Sequence, residues 1–360
     1  MGKKQALQRL YRTWHAGQLL AIRAQNQENP PSQPASVGVI VVCHGRAAAD
    51  VLPRCLGAIA AQTRRPESVL VLDSPGPGPS AATVVARMGP QVADALRPDV
   101  IGLTGNLGFA AATNLGIVAC PTEFIWLLNP DAFPHPECLE RLLAAAARHP
   151  TAVAFGSRQM IDGRPDIIDG IGDAYGISGL GWRRGHGRRL RPADLVERDI
   201  FSPCAAAALY RRAAVMEVGG FDEDFFCYFE DVDLGFRLRL AGHRAISVPD
   251  AVVDHVGGVS SGGRRSAFAT YHGHRNLVWA FAKNMPLPLA ILLLPLHLLQ
   301  TLASLAVCAA RGEAFRFLRA KWDAIRGLPR MLAKRRGIHA GRRVSSWDVW
   351  QALAKRPWRE

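Results

Sequence analysis

Two turns place carboxylates directly after runs of apolar residues. Asp73 follows the apolar run 68–72, and the turn 129–131, which ends in Asp131, follows the apolar run 124–128. A carboxylate on a turn after a buried strand can hold a hard divalent cation that also binds a diphosphate. Taken alone, an aspartate at such a position more often ends a strand or caps the next helix. Asp131 is therefore a candidate metal ligand that needs support from other motifs.

Acidic residues also open a predicted helix at 229–240. We interpret Asp231 as a general base, because a carboxylate near a helix start in a pocket that holds phosphates can accept a proton from an acceptor hydroxyl. The alternative for Glu230 and Asp231 is simple stabilisation of the helix dipole. Asp233 and Arg237 lie one turn apart, so we expect them to pair in a structural role.

A histidine and a glycine-rich segment form the third motif. His255 precedes the segment 256–263, which ends at Arg264 and Arg265. Glycines and arginines in this order are what a mobile flap over phosphates would require. A lone histidine is more often structural than a ligand, but a neutral imidazole could complete a metal site begun by Asp131.

The segment 105–116 is rich in small residues at a predicted helix N-terminus. Small side chains let a backbone approach an anion or a nucleotide closely. The segment lacks the G-x-G-x-x-G order, which disfavours a dinucleotide-binding fold.

The elements that must position these residues alternate between strands and helices. Apolar runs predict buried strands, and stretches with helical periodicity separate them; the strands are 37–42, 68–72, 99–103 and 124–128, and the helices are 51–62, 80–97 and 109–119. This order predicts an open, mostly parallel α/β sheet, in which ligands bind beyond the carboxyl ends of the strands. Residues 163–191 are rich in Gly and Arg and predict a long functional loop. A further strand at 205–210 precedes the helix at 229–240.

Taken together, these motifs resemble glycosyltransferase family 2, the inverting enzymes with the GT-A fold, and especially its bacterial rhamnosyltransferase-like branch. The resemblance covers roughly residues 37–280, and its closest segments are 106–109, 129–131, 219–223, 230–234 and the stretch after His255. It implies a Rossmann-like mixed sheet that binds a nucleotide-diphospho-sugar, followed by a helical, partly apolar C-terminal region.

The resemblance also implies roles for individual residues. Asp73 would contact the nucleoside, Asp131 would carry a Mg²⁺ or Mn²⁺ ion with Asn129 nearby, Asp231 would be the catalytic base, and His255 would contact the metal or the diphosphate. Further candidates for donor binding are His44, Asn106, Gly108, Asn114 and Asn129, and candidates for the acceptor or a loop are Asp222, Glu230, Arg264 and Arg265. The implied reaction is one displacement at the anomeric carbon, with inversion.

Two turns depart from the family pattern. The first strand runs into Cys43 and His44, and the second ends in Asp73, Ser74 and Pro75. In the family these turns contact the nucleotide, so the identity of the base and sugar stays open; we expect a dTDP- or UDP-sugar, with rhamnose suggested by resemblance. A catalytically silent sugar-nucleotide-binding or scaffold protein of a glycan-assembly system is the alternative.

Charge and hydropathy indicate the cellular location of the protein. The net charge is +14, and residues 311–360 contain 14 Lys and Arg against 4 Asp and Glu. Residues 284–310 carry no charged side chain, and three prolines, Pro286, Pro288 and Pro295, are expected to interrupt a regular spanning helix. We therefore expect a segment that lies in the cytoplasmic leaflet, with the basic tail on anionic head groups and a glycan or lipid-linked acceptor nearby.

Other readings of the apolar and basic regions remain open. A subunit interface in a homo-oligomer is the alternative for 284–310, whereas a nucleic-acid partner is disfavoured by the lack of a binding motif. Residues 1–36 predict a basic helical extension with a Pro-rich linker, and 281–360 a membrane-associating region. The N-terminus shows no secretory signal and the seven cysteines are scattered, as in a cytoplasmic protein at the inner face of the membrane.

Overall fold

The fold is described from a computed structural model that covers residues 35–259 and 266–355. The predicted N-terminal extension lies almost entirely outside these residues, and so do Arg264 and Arg265. The strands are β1 Val37–His44, β2 Ser68–Ser74, β3 Asp99–Gly102, β4 Phe124–Leu128, β5 Ala132–Pro134, β6 Ala152–Ile161, β7 Arg164–Gly170, β8 Asp173–Tyr175, β9 Gly181–Arg183, β10 Arg198–Ile200, β11 Ala207–Arg211 and β12 Arg244–His255.

Eleven α-helices accompany these strands in the described residues. They are α1 Gly45–Ala60, α2 Ala81–Ala86, α3 Pro90–Leu96, α4 Gly108–Ala119, α5 Cys138–Arg148, α6 Arg212–Glu217, α7 Glu230–Leu240, α8 Ala267–Asn284, α9 Leu287–Ala310, α10 Ala314–Ala340 and α11 Ser346–Ala352. Two short 3₁₀ helices, Pro192–Leu195 and Glu223–Phe225, complete the set.

Ten of the strands form one mixed sheet, with β10, β12, β6, β11, β4, β1, β2 and β3 in spatial order. Strands β3, β2, β1 and β4 run parallel, whereas β11 runs antiparallel to β4 and to β6. The short strand β5 pairs antiparallel with the end of β12. The GT-A-like α/β fold expected from the sequence is confirmed.

Both faces of the sheet are buried, which explains the unbroken apolar runs in its strands. In β1, Val39 and Val41 pack in one core with residues of α1, and Ile40 between them faces the other core with α4. Helix α4 approaches β1 closely at Gly116, where an added Cβ would lie 2.7 Å from Ile40. The small residues of this segment therefore serve helix–strand packing as well as the site.

Two element predictions were wrong in detail. The single helix expected at 80–97 is two short helices, α2 and α3, and the loop expected at 163–191 contains three short strands, β7, β8 and β9. β8 and β9 have three residues each, too few for an alternation of apolar and polar residues to show. The seven residues of β7 contain Pro165 and two adjacent isoleucines and do not alternate.

The C-terminal helices pack on the catalytic body through α8. The predicted domain boundary at residue 280 falls inside α8, which also contacts α10: the indole of Trp279 donates a hydrogen bond to the carbonyl oxygen of Ala324 at 2.9 Å, and the hydroxyl of Tyr271 donates one to Asp323 at 2.7 Å. No break in secondary structure separates the body from the C-terminal helices at this boundary.

Helix α9 is continuous over 24 residues, so the expectation that its prolines interrupt it was wrong. Pro288 lies in the first turn, where a missing amide proton is tolerated, and the helix continues through Pro295. Among the described helices, α9 is long and apolar enough to cross a membrane. Its most apolar 18-residue window has a mean hydropathy of 2.0, and 17% of that window is buried.

Candidate functional site

A cavity of about 410 Å³ opens at the carboxyl ends of β1 and β4. It is also lined by β9, by the turn before α7 and by the first turn of α8. Eight residues predicted from the sequence line it together: His44, Asn106, Gly108, Asn129, Asp131, Glu230, Asp231 and His255. The structure thus brings Asp131, Asp231 and His255 from three of the sequence motifs into one site, together with Asn106 and Gly108 of the fourth.

Asp131 and His255 meet because β5 and β12 pair at this edge of the sheet. Ala132, the residue after Asp131, is in register with His255. The Oδ1 atom of Asp131 lies 3.5 Å from Nε2 of His255, and its Oδ2 accepts hydrogen bonds from the backbone amides of Gly257 at 3.1 Å and Val259 at 3.4 Å. Burial alone would raise the pKa of Asp131, but the contacts with His255 and the Val259 amide bring it below its ordinary value.

Asp169 is a partner of His255 that the sequence did not indicate. Its Oδ2 lies 2.8 Å from Nδ1 of His255, and it also pairs with Arg183. Burial would raise the pKa of Asp169, but hydrogen bonds from His186 and His255 and the charge of Arg183 lower it well below its ordinary value. Asp169 is therefore ionised and orients the imidazole toward Asp131.

The pair Asp131 and His255 fits a divalent cation. The Nε2 atom of His255 is buried and makes no hydrogen bond within the described residues, although it faces Asp131. An imidazole nitrogen and a carboxylate oxygen at this separation, with the other ring nitrogen bound to a carboxylate, form the donor arrangement of protein metal sites.

Asp231 enters the cavity at the start of α7 behind a strained turn. Phe226, Tyr228 and Phe229 have φ values of 64°, 67° and 69°, a region that non-glycine residues rarely adopt. The carboxylate of Asp231 accepts hydrogen bonds from the backbone amides of Ala205 at 3.2 Å and of Val232 at 2.8 Å. Burial nevertheless raises the pKa of Asp231, as a general base near neutral pH requires.

Glu230 precedes Asp231 and is nearly inaccessible to solvent. Its Oε2 atom makes no hydrogen bond within the described part of the chain. Burial and the adjacent negative charge of Asp231 raise the pKa of Glu230 well above its ordinary value. Two adjacent carboxylates with little access to water do not both ionise readily, so Glu230 and Asp231 titrate as a coupled pair.

A second group of possible metal ligands lies beside Asp231. Ligand atoms of Asp173, Cys204 and Asp231 lie within 4.8 Å of one another. Arg183 is partly buried and pairs with Asp169; burial alone would lower its pKa, but nearby negative charges, among them Asp169, Asp173 and Asp231, raise it. Arg183 already supplies positive charge here, which disfavours a cation beside Asp231 and leaves Asp131 and His255 as the better candidate position.

Asn106 and Gly108 shape the opposite wall of the cavity. The side-chain oxygen of Asn106 accepts a hydrogen bond from the Gly108 amide at 3.0 Å, and its amide nitrogen lies 3.2 Å from Nε2 of His44. Gly108 has φ 79°, and a Cβ at this position would lie 2.5 Å from the ring of Phe226. A glycine is therefore required for the strained turn to close against this wall.

Three predicted residues lie elsewhere. Asn114 is fully buried outside the cavity, where its side chain bonds both backbone groups of Phe221, so it is a structural tie between α4 and that loop. Asp222 is also outside the cavity and pairs with Lys283 and Lys334 under α10. Asp73 is not among the lining residues; its carboxylate accepts a hydrogen bond from the Ala81 amide at 3.0 Å at the start of α2.

The fold is that of GT-A glycosyltransferases. A family model described as Glycosyl transferase family 2 matches residues 38–219, and the chain belongs to that family. The N-acetylglucosaminyl-diphospho-decaprenol L-rhamnosyltransferase of Mycobacterium tuberculosis is 35% identical over 236 residues, which cover 57% of this chain and 71% of that protein. The resemblance to the rhamnosyltransferase-like branch is thereby confirmed, and the protein is a glycosyltransferase.

Two solved structures share the fold. GalNAc-T7 with UDP, GalNAc and Mn²⁺ superposes with a TM-score of 0.54 at 14% identity. The superposition covers 70% of this chain and 48% of that protein. A mannosyltransferase from Pyrobaculum calidifontis in complex with GDP-Man and Mn²⁺ superposes with a TM-score of 0.50 at 19% identity, covering 97% of this chain and 99% of that one.

Proposed function

We propose that this protein is an inverting glycosyltransferase that moves a sugar, rhamnose in our reading, from a dTDP- or UDP-sugar to a hydroxyl of a lipid-linked glycan. The observation that carries the proposal is the convergence of Asp131, His255 and Asp231 on one cavity. A carboxylate–imidazole pair for a cation and a separate buried base are the two chemical functions that sugar transfer from a nucleoside diphosphate needs.

Asp231 accepts the proton of the acceptor hydroxyl as the reaction proceeds. The acceptor oxygen forms a bond to the anomeric carbon while the bond from that carbon to the diphosphate oxygen breaks, and the nucleoside diphosphate leaves with the electron pair. The two backbone amides that bond Asp231 fix the direction of its carboxylate. One displacement of this kind inverts the anomeric configuration and needs no covalent bond to the enzyme.

Asp131 and His255 would hold the divalent cation, Mg²⁺ or Mn²⁺. When bound, the cation supplies positive charge that offsets the charge developing on the departing diphosphate. Asp169 keeps the His255 ring oriented for this role through its contact with Nδ1. Val259 and Gly257 hold Asp131 from the other side through their backbone amides.

Support for the donor and acceptor comes from the relative in Mycobacterium tuberculosis. Its name describes the transfer of L-rhamnose to N-acetylglucosaminyl-diphospho-decaprenol. Because the aligned region of that relative includes 57% of this chain, we propose an acceptor of the same class, a sugar on a polyprenyl diphosphate, for this protein.

The surface of α9 and α10 supports work at the cytoplasmic face of the membrane. Large apolar side chains on both helices are exposed to solvent, among them Leu287, Ile291, Leu292, Leu299, Leu302, Phe315, Leu318, Trp322 and Ile325. On α10 the exposed residues 315, 318, 322 and 325 recur at helical spacing and form a stripe beside basic residues. An amphipathic helix of this kind with a basic polar face binds an anionic lipid surface.

The direct experiment is transfer by the purified protein. It is incubated with a polyprenyl diphosphate bearing N-acetylglucosamine, with dTDP-rhamnose or a panel of UDP-sugars, and with Mg²⁺ or Mn²⁺. We expect one donor to give a glycosylated lipid and one equivalent of nucleoside diphosphate, with the anomeric configuration inverted. Donor binding without transfer to any acceptor of this panel would instead favour the catalytically silent sugar-nucleotide-binding protein.

A further inference from the structure

The turn that delivers Asp231 is held by one buried side chain of α8. Asn276 is fully buried, and the two hydrogens of its amide nitrogen are shared among the carbonyl oxygens of Phe225 at 2.8 Å, Cys227 at 3.0 Å and Tyr228 at 2.7 Å. A single side chain thus binds three carbonyl groups within four consecutive residues. Each of the three carbonyl groups directly precedes a residue of positive φ, namely Phe226, Tyr228 and Phe229.

Arg275 reinforces the same contact from the neighbouring position. Its Nε donates to Oδ1 of Asn276 at 2.9 Å, and its terminal nitrogen donates to the carbonyl oxygens of Asp224 and Phe225, each at 3.0 Å. The Arg275 guanidinium lies over the ring of Trp279, with 4.3 Å between the guanidinium carbon and the ring centroid. Two adjacent residues of α8 therefore fix the carbonyl groups along one side of the turn.

Left to itself, this turn would not keep its conformation. Phe226, Tyr228 and Phe229 all adopt left-handed φ values that are unfavourable for residues with a Cβ. Such strain persists only where the surroundings over-determine it, and it is concentrated at functional sites. The carbonyl groups bound by Asn276 belong to the residues directly before those with positive φ, so the hydrogen bonds hold the turn in its strained conformation.

We propose that Asn276 is a positioning residue for glycosyl transfer, acting through the turn 225–229 to hold Asp231 against the acceptor hydroxyl. Asn276 is not among the residues that line the cavity, so it acts through the turn. The inference rests on the proposed role of Asp231 as base. It gives α8 a function beyond packing, because the helix that joins the body to α9 and α10 also sets the geometry of the base.

The test replaces Asn276 in the full-length protein and separates turnover from donor binding. We expect Asn276→Ala to lower kcat by roughly 10- to 100-fold, the effect of misplacing a catalytic group by about 1 Å, with the donor KM within about twofold. Asn276→Ser keeps one hydrogen-bond donor, so its kcat should lie between that of the wild type and that of Asn276→Ala. The acidic limb of the kcat profile should move to lower pH, because a relaxed turn lets water reach Asp231.

A matched control distinguishes positioning from simple stability. Asn284 lies on the same helix, is equally buried, and donates to Asp233 at 2.7 Å without touching the turn. Asn284→Ala should lower Tm but leave kcat and its pH profile unchanged. In an Asp231→Asn background, Asn276→Ala should change the residual rate by no more than about twofold, since both residues act through one group.

Each other outcome counts against a defined claim. If the wild-type protein transfers sugar and Asn276→Ala lowers Tm without changing kcat or the pH limb, the positioning role is wrong while the proposed function stands. If neither Asn276→Ala nor Asn276→Ser folds, the positioning role is contradicted as well, because Asn276 is then required for folding. If the wild-type protein transfers no sugar to any acceptor, the proposed function itself fails.

Discussion

The imidazole of His255 is fixed by Asp169, whose Oδ2 atom lies 2.8 Å from Nδ1. Both side chains are buried, and they come from β12 and β7, which flank β6 in the sheet. The contact leaves Nε2 of His255 directed at Asp131. A carboxylate on the far side of a ligating imidazole sets both the tautomer and the direction of the free nitrogen.

Replacing Asp169 should therefore weaken metal activation without removing a ligand. For Asp169→Asn we expect the concentration of Mn²⁺ that gives half-maximal transfer to rise about 10- to 100-fold, with activity recovered at saturating metal. The measurement is a metal titration after treatment with EDTA. A matched change at an exposed carboxylate of the same strand, Asp166→Asn, should leave the titration unchanged. An unaltered titration for Asp169→Asn would contradict the proposed cation position.

Adding even a methyl group at position 108 should destabilise the protein. Gly108→Ala combines φ 79° with a Cβ only 2.5 Å from the Phe226 ring, so we expect a loss of about 1–3 kcal/mol in the free energy of unfolding and a reduced kcat. Urea denaturation and steady-state rates measure the two effects. Gly105→Ala is the control, because its Cβ would meet no atom within 4 Å. Equal behaviour of the two variants would show that the turn does not press on α4.

A buried lysine ties the C-terminal helices to the body. Lys283 is 1% exposed and pairs with Asp222 and Asp233, and Asp222 also pairs with Lys334 of α10. Lys283→Met removes the positive charge and leaves buried carboxylates without a partner, so we expect the free energy of unfolding to fall by about 3–5 kcal/mol.

An exposed ion pair supplies the comparison for Lys283. Arg141 and Glu137 pair at 2.6 Å in solvent, and Arg141→Gln should leave the free energy of unfolding nearly unchanged, because water and salt screen an exposed pair. Denaturant unfolding measures both variants. A Lys283→Met protein as stable as the wild type would mean that the buried carboxylates are neutralised by other groups.

The exposed stripe of α10 should govern binding to lipid. Phe315 is 78% exposed and Trp322 61% exposed. Since burying one large apolar side chain contributes roughly 1.5–3 kcal/mol, replacing both by Glu should lower partitioning onto phosphatidylglycerol vesicles by at least about tenfold. Co-sedimentation at low salt measures the effect. Val196→Glu, an equally exposed apolar position on the catalytic body, should change nothing; equal losses for both sites would rule out a specific lipid-binding face.

The sequence singled out Asp131, His255 and Asp231, which the structure brings to one cavity, because each ends or follows a strand or opens a helix with a recognisable pattern; their roles as metal ligands and base stay predictions. Asp131 and His255 are far apart in the chain, and the register of β5 with β12 confirms that they meet. Asp169 and Arg183 could not be found, since their strands are short and irregular. Asn114 was misassigned because small residues around a helix start do not reveal which side chains face the core. Gly116 lies in the same segment, but there the small residue serves packing of α4 against Ile40 and not ligand binding, which the sequence does not distinguish.

The most direct test of the account is the Asp231→Asn variant with its pH profile. The base works only when deprotonated, and burial raises the pKa of Asp231 above its ordinary value. Transfer by the wild type should therefore fall on the acidic side through a pKa higher than that of an ordinary aspartate. In Asp231→Asn, transfer should drop about 10²- to 10⁴-fold and lose this acidic limb, while donor binding by calorimetry is unchanged. Transfer at the wild-type rate with an unaltered profile would contradict the assignment of Asp231 as the base.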